Sequence, residues 1–185
     1  MVAKAPLYGL VLAGGKSQRM RQDKGLIDYH GQPQRVHIAK QLSKFCSEVY
    51  ISGRSDQEID ANFPFLPDIK PILGPLGGIL SAFHEHSDAA WLVVACDLPL
   101  LDKATLQQLL EARNPAKLAT AFKSPTGLLP EPLIAIWESH AHPSLLQFLS
   151  EGYASPRKFL INSDIELIDA KRPQVLMNVN RPEEY

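Results

Sequence analysis

Two short apolar runs constrain this chain most. Leu7–Ala13 ends in the pair Gly14-Gly15, and Trp91–Cys96 ends in Asp97-Leu98-Pro99. Neither alternates polar with apolar residues. Each therefore reads as a strand buried on both faces, and such strands belong to parallel sheets with helices on either side. Helical spacing fills the intervals. Ile38, Leu42, Phe45 and Cys46 recur at helical period, as do Leu76, Ile79, Leu80 and Phe83 behind Pro75, and Leu106, Leu109 and Leu110 behind the capping residue Asp102. Glu48–Ser52 and Ile69–Leu73 read as further strands. Beyond Arg113 the rhythm weakens: Leu118–Phe122 and Leu133–Trp137 read as strands around the connection Ser124–Pro132, Pro143 as a helix start with Leu145, Leu146 and Leu149 inward, and Ile165–Ile168 and Val175–Val179 as late strands. Asn62–Pro75 reads as a surface loop. The expected fold is α/β: one open, mostly parallel sheet with helices on both faces, a single domain over residues 1–185.

Composition agrees. With 45% hydrophobic and 21% charged residues, 185 residues suffice for one ordinary core and need no disulfide or metal staple. Nineteen basic against twenty acidic residues give a net charge of −1. No global field holds nucleic acid, so a polyanion must be gripped locally. The apolar runs fall far short of the ~18 residues of a membrane span. Met1–Pro6 lacks the apolar core of a secretory signal. Cys46 and Cys96 make no metal or redox spacing and read as buried thiols. The expected setting is the cytoplasm, without membrane or nucleic-acid partners.

An open parallel sheet binds ligands at the carboxyl ends of its strands. Those ends are Leu12–Gly15, Ser52–Arg54, Leu73–Gly78 and Cys96–Pro99. In the first, glycines without Cβ let backbone N–H groups approach a ligand. Lys16, Arg19, Arg21 and Lys24 follow, against the single carboxylate Asp23. Backbone donors and clustered cations suit a polyphosphate; the plain alternative is a turn followed by a solvated face. Gly15-Lys16-Ser17 mimics a Walker A loop, but Leu10 occupies the position of its first glycine, and no Gly-x-Gly-x-x-Gly occurs. Asp97 offers hard oxygens suited to Mg²⁺; its plain alternative, a helix cap, is better filled by Asp102. Gly74-Pro-Leu-Gly-Gly78 lets a base or ribose approach the backbone, or is a tight turn. His84/His86 and His140/His142 are two apart, a spacing that faces different ways on a helix.

Taken together, Leu-Ala-Gly-Gly-Lys-Ser-x-Arg-Met with Asp23-Lys24-Gly25, then Gly-Pro-Leu-x-Gly, then Cys-Asp-x-Pro, and finally Met177-Asn-Val-Asn-Arg-Pro-Glu-Glu184 resemble the molybdenum cofactor guanylyltransferases of the nucleotidyltransferase superfamily. The resemblance covers nearly the whole chain. It implies a Rossmann-like fold of the nucleotide-diphospho-sugar transferase kind. It implies transfer of GMP from GTP to molybdenum-loaded molybdopterin, with Mg²⁺ as cofactor and pyrophosphate as by-product. By motif, Leu12, Ala13, Gly14, Gly15, Ser52, Asp68 and Gly78 would line the nucleotide. Lys24 would bind its phosphates, Asp97 would hold Mg²⁺, and Arg19 would assist or brace the loop. Asn178 and Asn180 would lie on the pterin side. Cofactor-assembly proteins and recipient molybdoenzymes are the implied partners. Arg21 replaces a frequent glycine, Ser52 a common asparagine, and Glu131 a frequent glutamine or histidine, and the step from Asp68 to Gly74 is one residue short. The alternatives are a CTP-using molybdopterin cytidylyltransferase, another small nucleotidyltransferase, or a nucleotide-binding and handover module without catalysis.

Overall fold

The computed structural model describes residues 4–14, 23–55 and 62–178, and of Lys24 the backbone alone. Gly15, Arg19 and Asn180 therefore lie outside the described residues. The elements are β1 (Leu7–Leu12), α1 (Gln34–Leu42), β2 (Val49–Gly53), β3 (Phe65–Pro67), α2 (Pro75–Glu85), β4 (Ala90–Ala95), α3 (Lys103–Glu111), β5 (Ala119–Lys123), β6 (Pro130–Trp137), α4 (Ala141–Ser150), α5 (Pro156–Ile161) and β7 (Glu166–Ile168), with 3-10 turns at Lys24–Leu26, Pro71–Leu73 and Pro173–Leu176. Among the described residues the strands form one sheet in the order β3-β2-β1-β4-β6-β5-β7. Only β6 runs against the rest. The α/β architecture read from the sequence is the one observed.

The central strands are sandwiched because their neighbouring residues serve opposite faces. Leu10, Trp91, Val93, Ala135 and Trp137 pack under α2, α4 and α5. Val11, Leu92, Val94, Ile134 and Ile136 pack under α1 and α3. This two-sided burial is why β1 and β4 read as unbroken apolar runs. Asp102 caps α3 as expected, its carboxylate accepting from the Thr105 amide at 2.8 Å. Leu106 and Leu109 are fully buried. Leu146 points outward, 47% exposed, while Leu145 is buried.

Three expectations change. The third strand is Phe65–Pro67, inside the expected loop Asn62–Pro75, whereas Ile69–Leu73 leads into a 3-10 turn. Pro71 opens that turn, and a proline there cannot continue the β3 ladder. Val175–Val179 likewise gives a 3-10 turn, Pro173–Leu176, instead of a strand; Val179 lies outside the described residues. Val175 and Leu176 are buried as neighbours, which a strand's alternation does not allow on one face. The connection Ser124–Pro132 is shorter than expected, since β6 already starts at Pro130. No described helix is long and apolar enough to cross a membrane.

Candidate functional site

Register gathers the expected strand ends on one edge. Leu12 pairs with Ser52 on one side and Ala95 on the other, and Gly53 pairs with Pro67. Hydrogen bonds extend the ladder past β1: Ala13 N–H donates to the Ser52 carbonyl at 2.8 Å and Cys96 N–H to the Leu12 carbonyl at 3.2 Å. Gly14 then lies flat on the end of β2. A Cβ there would stand 3.3 Å from Gly53 Cα and 3.6 Å from the Arg54 nitrogen. The Arg54 guanidinium donates to the Gly14 carbonyl at 3.0 Å and ties the turn down. The sequence reading placed Arg54 at a ligand-edge strand end but gave it no role.

Glycines of α2 form the neighbouring wall. A Cβ on Gly78 would meet Leu12 Cδ2 at 2.6 Å and Ser52 Oγ at 3.0 Å. Helix α2 therefore closes directly onto the ends of β1 and β2. Ser52 is 2% exposed, so it shapes this wall from behind Gly78. A Cβ on Gly77 would stand 2.4 Å from Asp68 Oδ1. Asp68, half-buried at the end of β3, is thus seated on the first turn of α2, where the helix's positive end favours a carboxylate. Burial pushes its carboxyl above the usual range, and a 2.9 Å bond from the Lys70 amide opposes that. Gly74, with φ of 57°, reverses the chain ahead of α2.

Asp97 lies two residues past the end of β4 and is half-buried. Its loop is held by side chains from α1 and the turn before it. His30 Nε2 lies 3.0 Å from the Pro99 carbonyl, and the amides of Gln34 and Gln41 donate to the carbonyls of Leu98 and Leu101 at 3.3 and 3.2 Å. Asp102 is engaged elsewhere, capping α3 and pairing with Arg172. Among the described residues no group of three or more His, Cys, Asp or Glu side chains cages a metal. A single carboxylate with the remaining ligands drawn from substrate phosphates and water is the usual Mg²⁺ arrangement, so Asp97 fits that ion.

The backbone of Lys24 comes to the same edge. The turn Lys24–Leu26 is fixed by the amides of Gly25 and Leu26, which donate to the carboxylate and the carbonyl of Asp23 at 2.9 and 3.0 Å. A Cβ on Gly25 would lie 3.3 Å from both Ala13 Cβ and Arg35 Cδ, so this turn docks beside the end of β1. The structure thus brings together Leu12, Ala13, Gly14, Ser52, Asp68, Gly78, Asp97 and the Lys24 backbone. Asn178 is exposed just past the turn Pro173–Leu176. Glu131 opens the antiparallel β6 and so also lies at this edge. It is 8% exposed, and Arg157 reaches both its oxygens at 3.1 Å. The paired histidines lie apart: His86 bonds Tyr50 at the opposite edge, and His142 stacks on Phe83.

This arrangement has counterparts among known proteins. The family model of the MobA-like NTP transferase domain matches residues 9–166. The chain is 35% identical over 187 residues to the molybdenum cofactor biosynthesis bifunctional protein of Synechocystis; the match takes in 100% of this chain and 54% of that protein, so the chain spans about half of that relative. It is 32% identical over 188 residues to the molybdenum cofactor guanylyltransferase of Pseudomonas aeruginosa, covering 98% of this chain and 93% of that protein. The crystal structure of molybdopterin-guanine dinucleotide biosynthesis protein A from Archaeoglobus fulgidus superposes with a TM-score of 0.77 at 19% identity, covering 96% of this chain and 94% of that one, a likeness of fold. With its strand-end glycine turn and its matched span, this chain belongs to the family of MobA-like NTP transferase domains.

Proposed function

We propose that the chain transfers GMP from GTP to molybdenum-loaded molybdopterin and releases pyrophosphate. The observation that carries this is the junction of Gly14, lying flat on Gly53, with Asp97 at the end of the adjoining strand β4. A triphosphate seated on the glycine turn would face a carboxylate across one strand spacing.

The attacking oxygen belongs to the terminal phosphate of molybdopterin. Its second pKa near ~6 leaves it largely ionised at neutral pH, so no dedicated base is needed. A bond forms from that oxygen to the α-phosphorus of GTP, and the bond from the α-phosphorus to the bridging oxygen of pyrophosphate breaks. The obstacle is repulsion between anions and charge gathering on the leaving group. Backbone donors of the glycine turn and Lys24 answer it by fixing and neutralising phosphate oxygens. Asp97 would hold Mg²⁺, which when bound supplies Lewis-acid neutralisation of the phosphates. Asp68 would meet the nucleotide beside α2, and Asn178 and Asn180 the pterin. Assembly proteins of the cofactor and the recipient molybdoenzymes are the partners this reading implies, and its setting is the cytoplasm.

The test is to incubate the protein with Mg²⁺, molybdenum-loaded molybdopterin and GTP, CTP, ATP or UTP in turn, and to follow pyrophosphate. Release with GTP is expected. Release with CTP alone would move the chain to the cytidylyl branch, which the buried Ser52 in place of an asparagine makes worth including. Tight nucleotide binding without release would make it a binding or handover module.

A further inference from the structure

The first turn of α1 carries charge that the scheme above does not use. A helix presents the positive end of its dipole at its N-terminus and is eased there by caps and carboxylates. Here Pro33 supplies no side-chain cap and the first turn holds no acidic residue. The turn holds Arg35 instead, and Arg35 is 5% exposed. Its Nε is sealed from solvent with no hydrogen-bond partner. None of the ion pairs among the described residues includes it. A guanidinium nitrogen removed from water without a partner is unfavourable, and the helix end beside it adds charge of the same sign.

Its position tells what completes it. The Arg35 stem touches the space beside Gly25, 3.3 Å from where a Cβ would stand, and Ala13 borders the same point. The preceding residue, Gln34, is fully buried and holds the Leu98 carbonyl, one residue past Asp97. Arg35 thus lies beside the end of β1 and follows in the chain the residue that holds the Asp97 loop. We propose that Arg35 is an anion-binding residue whose partner is a phosphate oxygen of the bound nucleoside triphosphate. This rests on the reading that the nucleotide sits at this edge. Arginine's planar donors suit a phosphate better than a compact ammonium does.

The experiment compares wild type, Arg35→Met and Arg35→Lys by thermal unfolding of the full chain alone and with GTP, inorganic pyrophosphate or inorganic phosphate, and by steady-state kinetics. A ligand that binds only the folded state raises the melting temperature. In Arg35→Met the ligand-free melting temperature should hold or rise, because an uncompensated charge has gone. The gains from GTP and pyrophosphate should largely vanish, with GTP affinity lower by about tenfold or more. Arg35→Lys should recover part of both gains. An Arg35→Met protein that melts lower by itself yet keeps the full GTP gain would show a structural arginine and overturn the proposal. So would an unchanged GTP gain with a raised KM for molybdopterin alone, which would place the partner on the second substrate. If wild type released no pyrophosphate from any nucleotide while Arg35→Met still lost the GTP gain, the transfer reading would fall and the anion site would stand.

Discussion

Arg113 and Arg35 are both buried, and they sit at opposite edges of the sheet. Arg113, at the amino edge, spends its donors within the protein: Nε and one terminal nitrogen reach the two oxygens of Glu138 at 2.6 and 2.8 Å, and that terminal nitrogen also reaches the Ala5 carbonyl at 3.2 Å. Both side chains of the pair are 2% exposed. Around the same edge Tyr8, Tyr50, His86 and Trp91 pack ring against ring, and Tyr50 donates to Glu48 at 2.7 Å. At the carboxyl edge the pattern inverts. Glycines take the contacts that side chains would fill, Arg35 makes no ion pair among the described residues, and Asp68 and Asp97 stand at strand ends. One edge closes its charges to hold the fold. The other keeps in Arg35 a charge whose partner, on the reading above, would arrive with the substrate, a familiar exchange of stability for function.

The largest expected effect follows at the amino edge. Glu138→Ala leaves the Arg113 guanidinium buried and unpaired, and the loss should be about 3–5 kcal/mol of stability. Denaturant midpoints measure it, and turnover per folded molecule should stay unchanged at low temperature. A fall in that turnover would mean that the two edges are coupled. At the carboxyl edge the expectation reverses. Asp97→Asn should lower kcat by about 10²–10³ while the unfolding free energy stays within about 0.5 kcal/mol of wild type. Near-normal Mg²⁺-dependent turnover would remove Asp97 from the metal site.

The amino-acid pattern revealed the carboxyl edge better than the rest. β1 and β4 are legible because burial on both faces leaves no polar interruption, and Pro75 and Asp102 mark their helices by local chemistry alone. β3 is not legible. Three residues give no period, and its pairing of Ile51 with Phe65 is a tertiary fact. The reversed direction of β6 had a signal that spacing could have given: the six residues from Ser124 to Leu129 are too few for the crossover that a parallel neighbour requires. Arg35 was invisible for a different reason. Helical periodicity treats an arginine in a first turn as solvated, and the docking of Gly25 beside its stem is a tertiary fact.

Each edge also carries one histidine whose proton binding is weakened, and acid should separate them by a smaller effect. His37, on α1, lies below its ordinary value of 6.5 through burial first, then through His30, Lys40 and Lys44. Its ring stacks on His30 at 3.9 Å, and the Gln41 amide lies 2.8 Å from its Nε2. His142, on α4, is lowered by burial and by His84. In both cases the unfolded chain binds the proton more tightly than the folded one. Their contribution to stability is therefore complete above 6.5 and is lost as pH falls through the lowered folded value. His37→Gln and His142→Phe should each flatten the acid limb of a stability–pH curve, by less than either substitution above. Only His37→Gln should also change how acid affects amide exchange of the loop after β4, because His30, stacked on it, holds the Pro99 carbonyl there. Equal exchange behaviour in the two variants would mean that protonation of His37 is not passed through His30 to the Asp97 loop.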